Sequence, residues 1–359
     1  MRHSLGPLFR RATVGVLALA AVWAAGSSPS AAPAAAPVPE AERLSFTERY
    51  RALQHGGIVR AANASITCRA AESSSCSETQ AGGPGVNGDF DMFYVDVDRD
   101  ANTYNSSRGE VRLPSGSRVT YARLYWGGNL RVGEQKPPQD NERVLIAEPG
   151  GEYKELIADT TVGHRVMDGM DAFQASADVT RLVREAGAGL YTVAQINIAM
   201  GRSTAGAWGG WTLVVAYENP AEPLRHLAVW DGFTPLGAVE IGMGGLDFAA
   251  DAWGRAGLVA YNGDRGTGGD SLTVTAGQAT TALGNSANPR DDVLNSTISE
   301  PGTDAARTPA HGNTLGYDSD VFDLAGALQH GGDRATFRLQ SQQDAAWAGV
   351  FYAAVDARR

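Results

Sequence analysis

Lysine is nearly missing from this chain. Only Lys136 and Lys154 occur, against many arginines, and the formal net charge is −10. With no basic stripe to neutralise phosphates, nucleic acid and anionic membrane surfaces are poor partners. Cysteine is as scarce: Cys68 and Cys76 stand close together in a polar, Ser-rich segment. No histidine lies near enough to complete a metal site or an activated thiol, so the reading is a small disulfide loop in an oxidising compartment. Closing so short a loop removes modest chain entropy, worth about 2 kcal/mol.

Catalytic spacing is missing too. Gly201-Arg-Ser203-Thr-Ala has no second glycine for a nucleophile elbow. His55, His164, His226, His311 and His330 are scattered, with no pair at metal-ligand spacing. Paired carboxylates for glycoside hydrolysis leave no local motif, which keeps a carbohydrate-active enzyme or glycan-binding module as the alternative reading. Long apolar runs are confined to Thr13–Ala25. That run is too short to span a bilayer, which needs about 20 apolar residues.

What the N-terminus does hold is the three-part plan of a secretion signal. Arg2, Arg10 and Arg11 precede the apolar run, and small residues follow it. Residues 1–26 read as the signal peptide, with cleavage after Gly26 or as late as Ala34. The Ala/Pro-rich stretch 27–40 reads as a disordered linker. The expectation is a secreted, extracellular protein with no membrane insertion once the signal is removed.

The remainder is rich in glycine, 44 residues of 359, and in β-branched and aromatic runs. Candidate strands include Tyr50–Gln54 and Ile58–Ala62 around His55-Gly-Gly57, then Asp91–Val97, Ser117–Trp126, Arg143–Ala147, Tyr191–Met200 and Trp211–Tyr217. Leu227–Trp230, Gly257–Tyr261, Ser271–Thr275, Ala335–Gln340 and Val350–Val355 continue the series. Short strands separated by Gly, Asn, Asp and Pro predict an all-β fold of packed, jelly-roll-like sandwiches with a few short helices. Two helices are expected, at Asp178–Gly187 and Asp320–His330, each leading through a Gly stop and a strand to an Ala-Trp-x-Gly strand entry. This internal order predicts two related β-sandwich modules, 41–220 and 221–359.

Two segments carry candidate chemistry. In Asn87–Asn102, Asp96, Asp98 and Asp100 share one face if Tyr94–Asp98 is a strand, and with Asn102 they form a candidate calcium set. The order fails as an EF-hand, because Ala101 stands at the turn position and Ser107 at the bidentate position. The second segment, Tyr261–Ser271, places Asp264 and Asp270 about Arg265 in a Gly-rich loop. These residues, with Trp126, are the tentative ligand contacts; a plain Gly-rich hairpin accounts for the same loop without a ligand. Trp126, Trp208, Trp211, Trp230, Trp253 and Trp347 would serve a sugar-binding face, although core packing is the usual fate of tryptophan. No cofactor other than a calcium ion is expected.

Several motifs recur together in a known group. They are Met92-Phe-Tyr-Val-Asp-Val-Asp98, Tyr125-Trp-Gly-Gly128, Gly210-Trp-Thr-Leu-Val-Val-Ala-Tyr-Glu218, Trp230-Asp-Gly232, Ala260-Tyr-Asn-Gly-Asp-Arg-Gly266 and Asn295-Ser-Thr-Ile-Ser299. In that order the chain resembles the N-terminal domain of large bacterial secreted, adhesin-like surface proteins whose later parts are immunoglobulin-like repeats. The resemblance implies a cell-surface or matrix role without assigned catalytic residues. The expected function is a non-catalytic binding or structural module, with an envelope or extracellular polymer or glycan as partner.

Overall fold

The inner strands of this protein read as uninterrupted apolar runs because both of their faces are covered. In the computed structural model, which describes residues 44–98, 100–302 and 306–358, Gly209–Glu218 and Trp347–Asp356 are buried at every position but the last. The expected signal, 1–26, and linker, 27–40, lie outside the described residues. Along Trp347–Asp356 the side chains alternate between two cores. Ala348, Phe351, Ala353 and Val355 join one, while Trp347, Val350, Tyr352 and Ala354 join another.

A ten-stranded sheet supplies both inner layers. Its seam is the long strand Leu44–Ala64. As far as His55 opposite Leu224, this strand pairs antiparallel with Leu224–Pro235. From Gly56 opposite Glu218 onward it pairs with Gly209–Glu218. His55-Gly-Gly57 is therefore not a turn between two strands, as the sequence suggested, but a change of sheet within one strand. Gly56 takes φ +138°, and a Cβ there would lie 1.9 Å from the Tyr217 carbonyl oxygen.

Beyond the seam, one half runs through Leu224–Pro235, Trp347–Asp356, Gly254–Tyr261, Tyr317–Asp323 and Ile298–Ser299, and the other through Gly209–Glu218, Arg118–Asn129, Met170–Asp178 and Thr160–Met167. The two halves pack face to face through Tyr125, Val214, Phe233, Tyr261, Tyr317 and Trp347. Polar contacts cross the same interface. The Tyr261 hydroxyl donates to Gln174 Oε1 at 2.8 Å, and Gln174 Nε2 donates to the Gly232 and Gly349 carbonyls.

Each inner half is covered by an outer sheet. The five-stranded sheet contains Arg307–Thr308, Ser106–Val111, Gly189–Ala194, Arg143–Ala147 and Lys154–Ile157. It packs Val111, Ile146 and Val193 against Leu124, Trp126 and Leu213. The four-stranded sheet holds Ala238–Phe248, Gly332–Gln340, Ser271–Ala276 and Ala279–Ala282. It packs Ile241, Leu272 and Phe337 against Leu258 and Phe351. In the four-stranded sheet, Ala238–Phe248 and Ser271–Ala276 alternate buried with more exposed positions, as one-sided strands do.

The described residues form one compact unit. Strand Leu44–Ala64 serves both halves, and Arg307–Thr308 crosses back to pair with Ser106–Val111 in the other half's outer sheet. In each half an outer-sheet strand, Gly189–Ala194 or Gly332–Gln340, leads into a doubly buried inner strand.

The first expected helix is present as Thr180–Ala186, with Asp178 Oδ1 accepting from the Thr180 amide at 2.8 Å and Gly187 ending it at φ +77°. The second is not a helix. Its first residues continue the strand Tyr317–Asp323, paired with Gly254–Tyr261, and the rest turns back through Leu324–Gly331. Pairing along Gly254–Tyr261 in the inner sheet outweighs the helical spacing of its apolar residues.

The disulfide joins Cys68, at the end of Ile66–Cys68, to Cys76, at the start of the helix Cys76–Gln80. Both residues are buried. Replacing the pair by serine is expected to lower unfolding stability by about 2 kcal/mol, read from denaturant curves and matched by reducing the wild-type chain.

Packing between the inner sheets is tight at Gly349, where a Cβ would lie 2.1 Å from Gln174 Oε1 and 2.9 Å from the Tyr261 ring. Gly349→Ala is therefore expected to cost about 1–3 kcal/mol. Gly242→Ala, on an outer strand with nothing within 4 Å of the new methyl group, should change stability by less than about 0.5 kcal/mol. Equal losses from the two substitutions would contradict the packing described.

Candidate functional site

The strand expected to carry the first acidic set ends early, at Tyr94. Asp96, Asp98, Asp100 and Asn102 lie in the loop beyond it, where donors of the loop and of neighbouring segments engage them. Asp96 Oδ1 accepts from Ser106 Oγ at 3.0 Å. Asp98 Oδ1 accepts from the Asp100 amide at 2.8 Å and from Thr103 Oγ1 at 3.0 Å, and its Oδ2 accepts from the Tyr153 hydroxyl. Asp100 Oδ1 accepts from the Asn102 amide at 2.9 Å and its Nδ2 at 2.8 Å. Partial burial alone would push the Asp98 carboxyl up. The hydrogen bonds from Tyr153, Asp100 and Thr103 outweigh it and hold the group below its ordinary value.

The second set is placed differently. Gly254–Tyr261 belongs to the inner sheet and Ser271–Ala276 to the outer one, so the intervening loop is not a hairpin. It arches across the open end of the sandwich. There Asp264 and Asp270 meet acids that local sequence could not link to them: Asp292, Asp344 and, from the inner strand, Asp318. Asp270 and Asp292 form a parallel backbone bridge.

Each of four carboxylates in this group uses one oxygen to accept a backbone N–H. Leu294 donates to Asp270 Oδ2 at 2.8 Å, Gly266 to Asp292 Oδ2 at 2.9 Å, Thr297 to Asp318 Oδ1 at 3.0 Å and Asp264 to Asp344 Oδ2 at 3.2 Å. The other oxygens of Asp292 and Asp318 are buried without a hydrogen-bond partner, while Asp270 and Asp344 engage each other through their side chains. Asp270 and Asp318 are fully buried, and Asp344 is 7% exposed. The backbone crowds close as well: a Cβ on Gly263 would lie 2.2 Å from the Leu294 carbonyl oxygen and 2.7 Å from Asp318 Oδ2.

Such crowding makes the charged forms costly. Burial, followed by the neighbouring Asp89, pushes Asp264 up to about 6. Burial, then the like charge of Asp270, raises Asp344, and burial, then Asp320, raises Asp318. Arg265 lies at the edge of the group, where its charge favours ionised Asp292 while its Nη2 donates to the Gly312 carbonyl at 2.7 Å. Trp126 is not brought here. It is fully buried in the core under the five-stranded sheet, its Nε1 donating to the Asn141 carbonyl at 2.8 Å.

Beside the acidic group, on the same inner strand, Asp320 backs a polar cleft of about 870 Å³. Its Oδ1 accepts from Thr297 Oγ1, from the Ser299 amide and from Ser299 Oγ at 2.7–3.0 Å. The cleft walls carry Asn285, Ser286, Thr297, Ser299, Glu300 and Arg307. Arg60, buried at its base, donates Nη2 to the Ser299 carbonyl at 2.8 Å.

No family model matches the chain, and no curated protein matches it. Among solved structures it is similar to the major capsid protein P2 of bacteriophage PM2, at 11% identity and a TM-score of 0.21, over 84% of this chain and 98% of that one. It is also similar to PNGase F, a glycosylasparaginase from Flavobacterium meningosepticum, at 13% identity and a TM-score of 0.23, over 71% of this chain and 90% of that one. These likenesses are too slight to carry an argument about function.

His311 lies near the cleft mouth, and burial followed by the charge of Arg307 lowers it from 6.5 to about 4. The folded chain thus binds this proton less tightly than the unfolded one, so its contribution to stability grows as pH rises through that window and is constant above it. Against a His311→Asn variant, wild type should gain about 1–2 kcal/mol between the two values, measured by urea unfolding at stepped pH. A flat difference would contradict the burial.

Proposed function

We propose that this chain is a secreted, non-catalytic extracellular protein, a binding or structural module of the cell envelope or matrix, with the polar cleft above Arg60 as its ligand groove. The cleft carries this reading. Its walls present amide, hydroxyl, carboxylate and guanidinium groups, a set suited to the hydroxyls of a glycan or another polar polymer. The signal-like N-terminus, the acidic balance and the resemblance to adhesin-like surface domains support the same reading.

Aromatic stacking contributes little to such a site. Trp126, Trp208, Trp211, Trp230 and Trp347 are buried, and Trp253 lies half-buried beneath Arg225 and Arg255. Among the described cleft-lining residues Glu300 supplies the single carboxylate, and Arg255 Nη1 pairs with it at 2.6 Å.

Ser286 and Ala310 are exposed on the cleft walls, so Ser286→Trp and Ala310→Trp should fill the groove without disturbing a core. Glycan arrays and pull-downs with envelope fractions are expected to show binding by wild type and at least about tenfold weaker binding by either variant, a loss near 1.4 kcal/mol. Unfolding midpoints should stay unchanged. Blank arrays and pull-downs, or variants that bind as wild type does, would overturn the proposal.

A further inference from the structure

We propose that the groove above Arg60 selects sugars that carry a carboxylate, of the uronate type, over neutral ones. This rests on the cleft being a ligand groove, and it names the charge of what the groove takes. Arg60 is buried at the base, with Nη2 on the Ser299 carbonyl at 2.8 Å. Burial raises Asp320, Tyr317 and Tyr352, and the charge of Arg60 works against that rise at each. On the wall, Arg307 donates Nη2 to the His311 carbonyl at 2.6 Å and Nη1 to the Pro309 carbonyl at 3.5 Å. Bonds to carbonyl oxygens leave a guanidinium charged, and the lowered His311 registers that charge at the cleft mouth.

The acids at the groove do not cancel this charge. Glu300 is matched by Arg255 at 2.6 Å, and Asp320 stands behind the wall. Among the described residues that line or back the groove, Arg60, Arg255 and Arg307 thus stand against two carboxylates, Glu300 and Asp320. The surplus of one positive charge suits a single monoanionic group, and the planar fork of a guanidinium matches a carboxylate. Ser299 Oγ spends its proton on Asp320 Oδ1 at 2.7 Å, so the anion depends on the arginines. Asn285, Ser286 and Thr297 on the same walls suit the neutral hydroxyls of the sugar. The surplus is local, because the whole chain carries a net charge of −10. A densely charged polyanion meets repulsion everywhere else on the surface, whereas a carboxylate set among neutral sugars does not.

The test is a glycan array sorted by charge, followed by calorimetric titration of the strongest uronate-bearing hit. The same oligosaccharide with its carboxyl groups reduced to alcohols is titrated beside it. The expected result is an array dominated by uronate-bearing glycans, with the reduced form binding at least about tenfold more weakly. Added salt should weaken the acid form and leave the reduced form unchanged. Arg307→Gln should weaken the acid form by at least about fivefold and spare the reduced form, a selectivity that a merely structural role would not produce. Hits confined to neutral, sulfated or phosphorylated glycans would overturn the inference while leaving the groove reading intact. So would equal affinity for the acid and reduced forms, or an Arg307→Gln variant that weakens both alike. If that variant does not fold, the comparison of acid with reduced sugar on the wild-type chain decides. A blank array overturns the groove reading itself, and this inference with it.

Discussion

The face-to-face contact of the two inner half-sheets is the constraint on which the rest of the molecule depends. It fixes Gln174, Tyr261 and Gly349 against one another and buries every tryptophan near it. Side chains of that size contribute about 1.5–3 kcal/mol each when buried. The approach is close enough that glycine is required where a methyl group would meet Gln174. A strand covered on both sides has no solvent face to vary, which is why Trp211–Tyr217 and Val350–Val355 carry no alternation of polar residues.

That contact also places the loops. Tyr317–Asp323 faces the opposing inner half with Tyr317, Ser319 and Val321, so period-two alternation turns Asp318 and Asp320 into the C-terminal sandwich. Asp318 then meets the arch between the inner and outer sheets, while Asp320 supports the Thr297–Ser299 wall of the cleft. Thr297 joins the acidic group to the cleft, its amide donating to Asp318 and its hydroxyl to Asp320.

Much of this was legible in the sequence, for a definite reason. Doubly buried strands announce themselves as β-branched and aromatic runs, as Trp211–Tyr217 does within Gly209–Glu218, and the outer-sheet strand Arg143–Ala147 has the bounds its sequence suggests. Ala238–Phe248 resembles a loop in sequence because Gly242, Gly244 and Gly245 interrupt it, although Val239, Ile241 and Met243 carry the buried face. The helix expected at Asp320–His330 failed because its apolar spacing describes a turn after a strand. At the acidic end, Asp264 and Asp270 were visible as loop acids. Asp292, Asp318 and Asp344 were not, since the fold brings them together from segments far apart in sequence. A clue was present nonetheless: Tyr317-Asp-Ser-Asp-Val-Phe322 sets acids at period two within an apolar strand.

If the inner interface governs the fold, the two sandwiches cannot unfold separately. Differential scanning calorimetry of the purified chain is the direct test. The account predicts one cooperative transition with equal calorimetric and van't Hoff enthalpies, and Gly349→Ala shifting that single transition as a whole. Two resolved transitions, with Gly349→Ala moving only one of them, would contradict it.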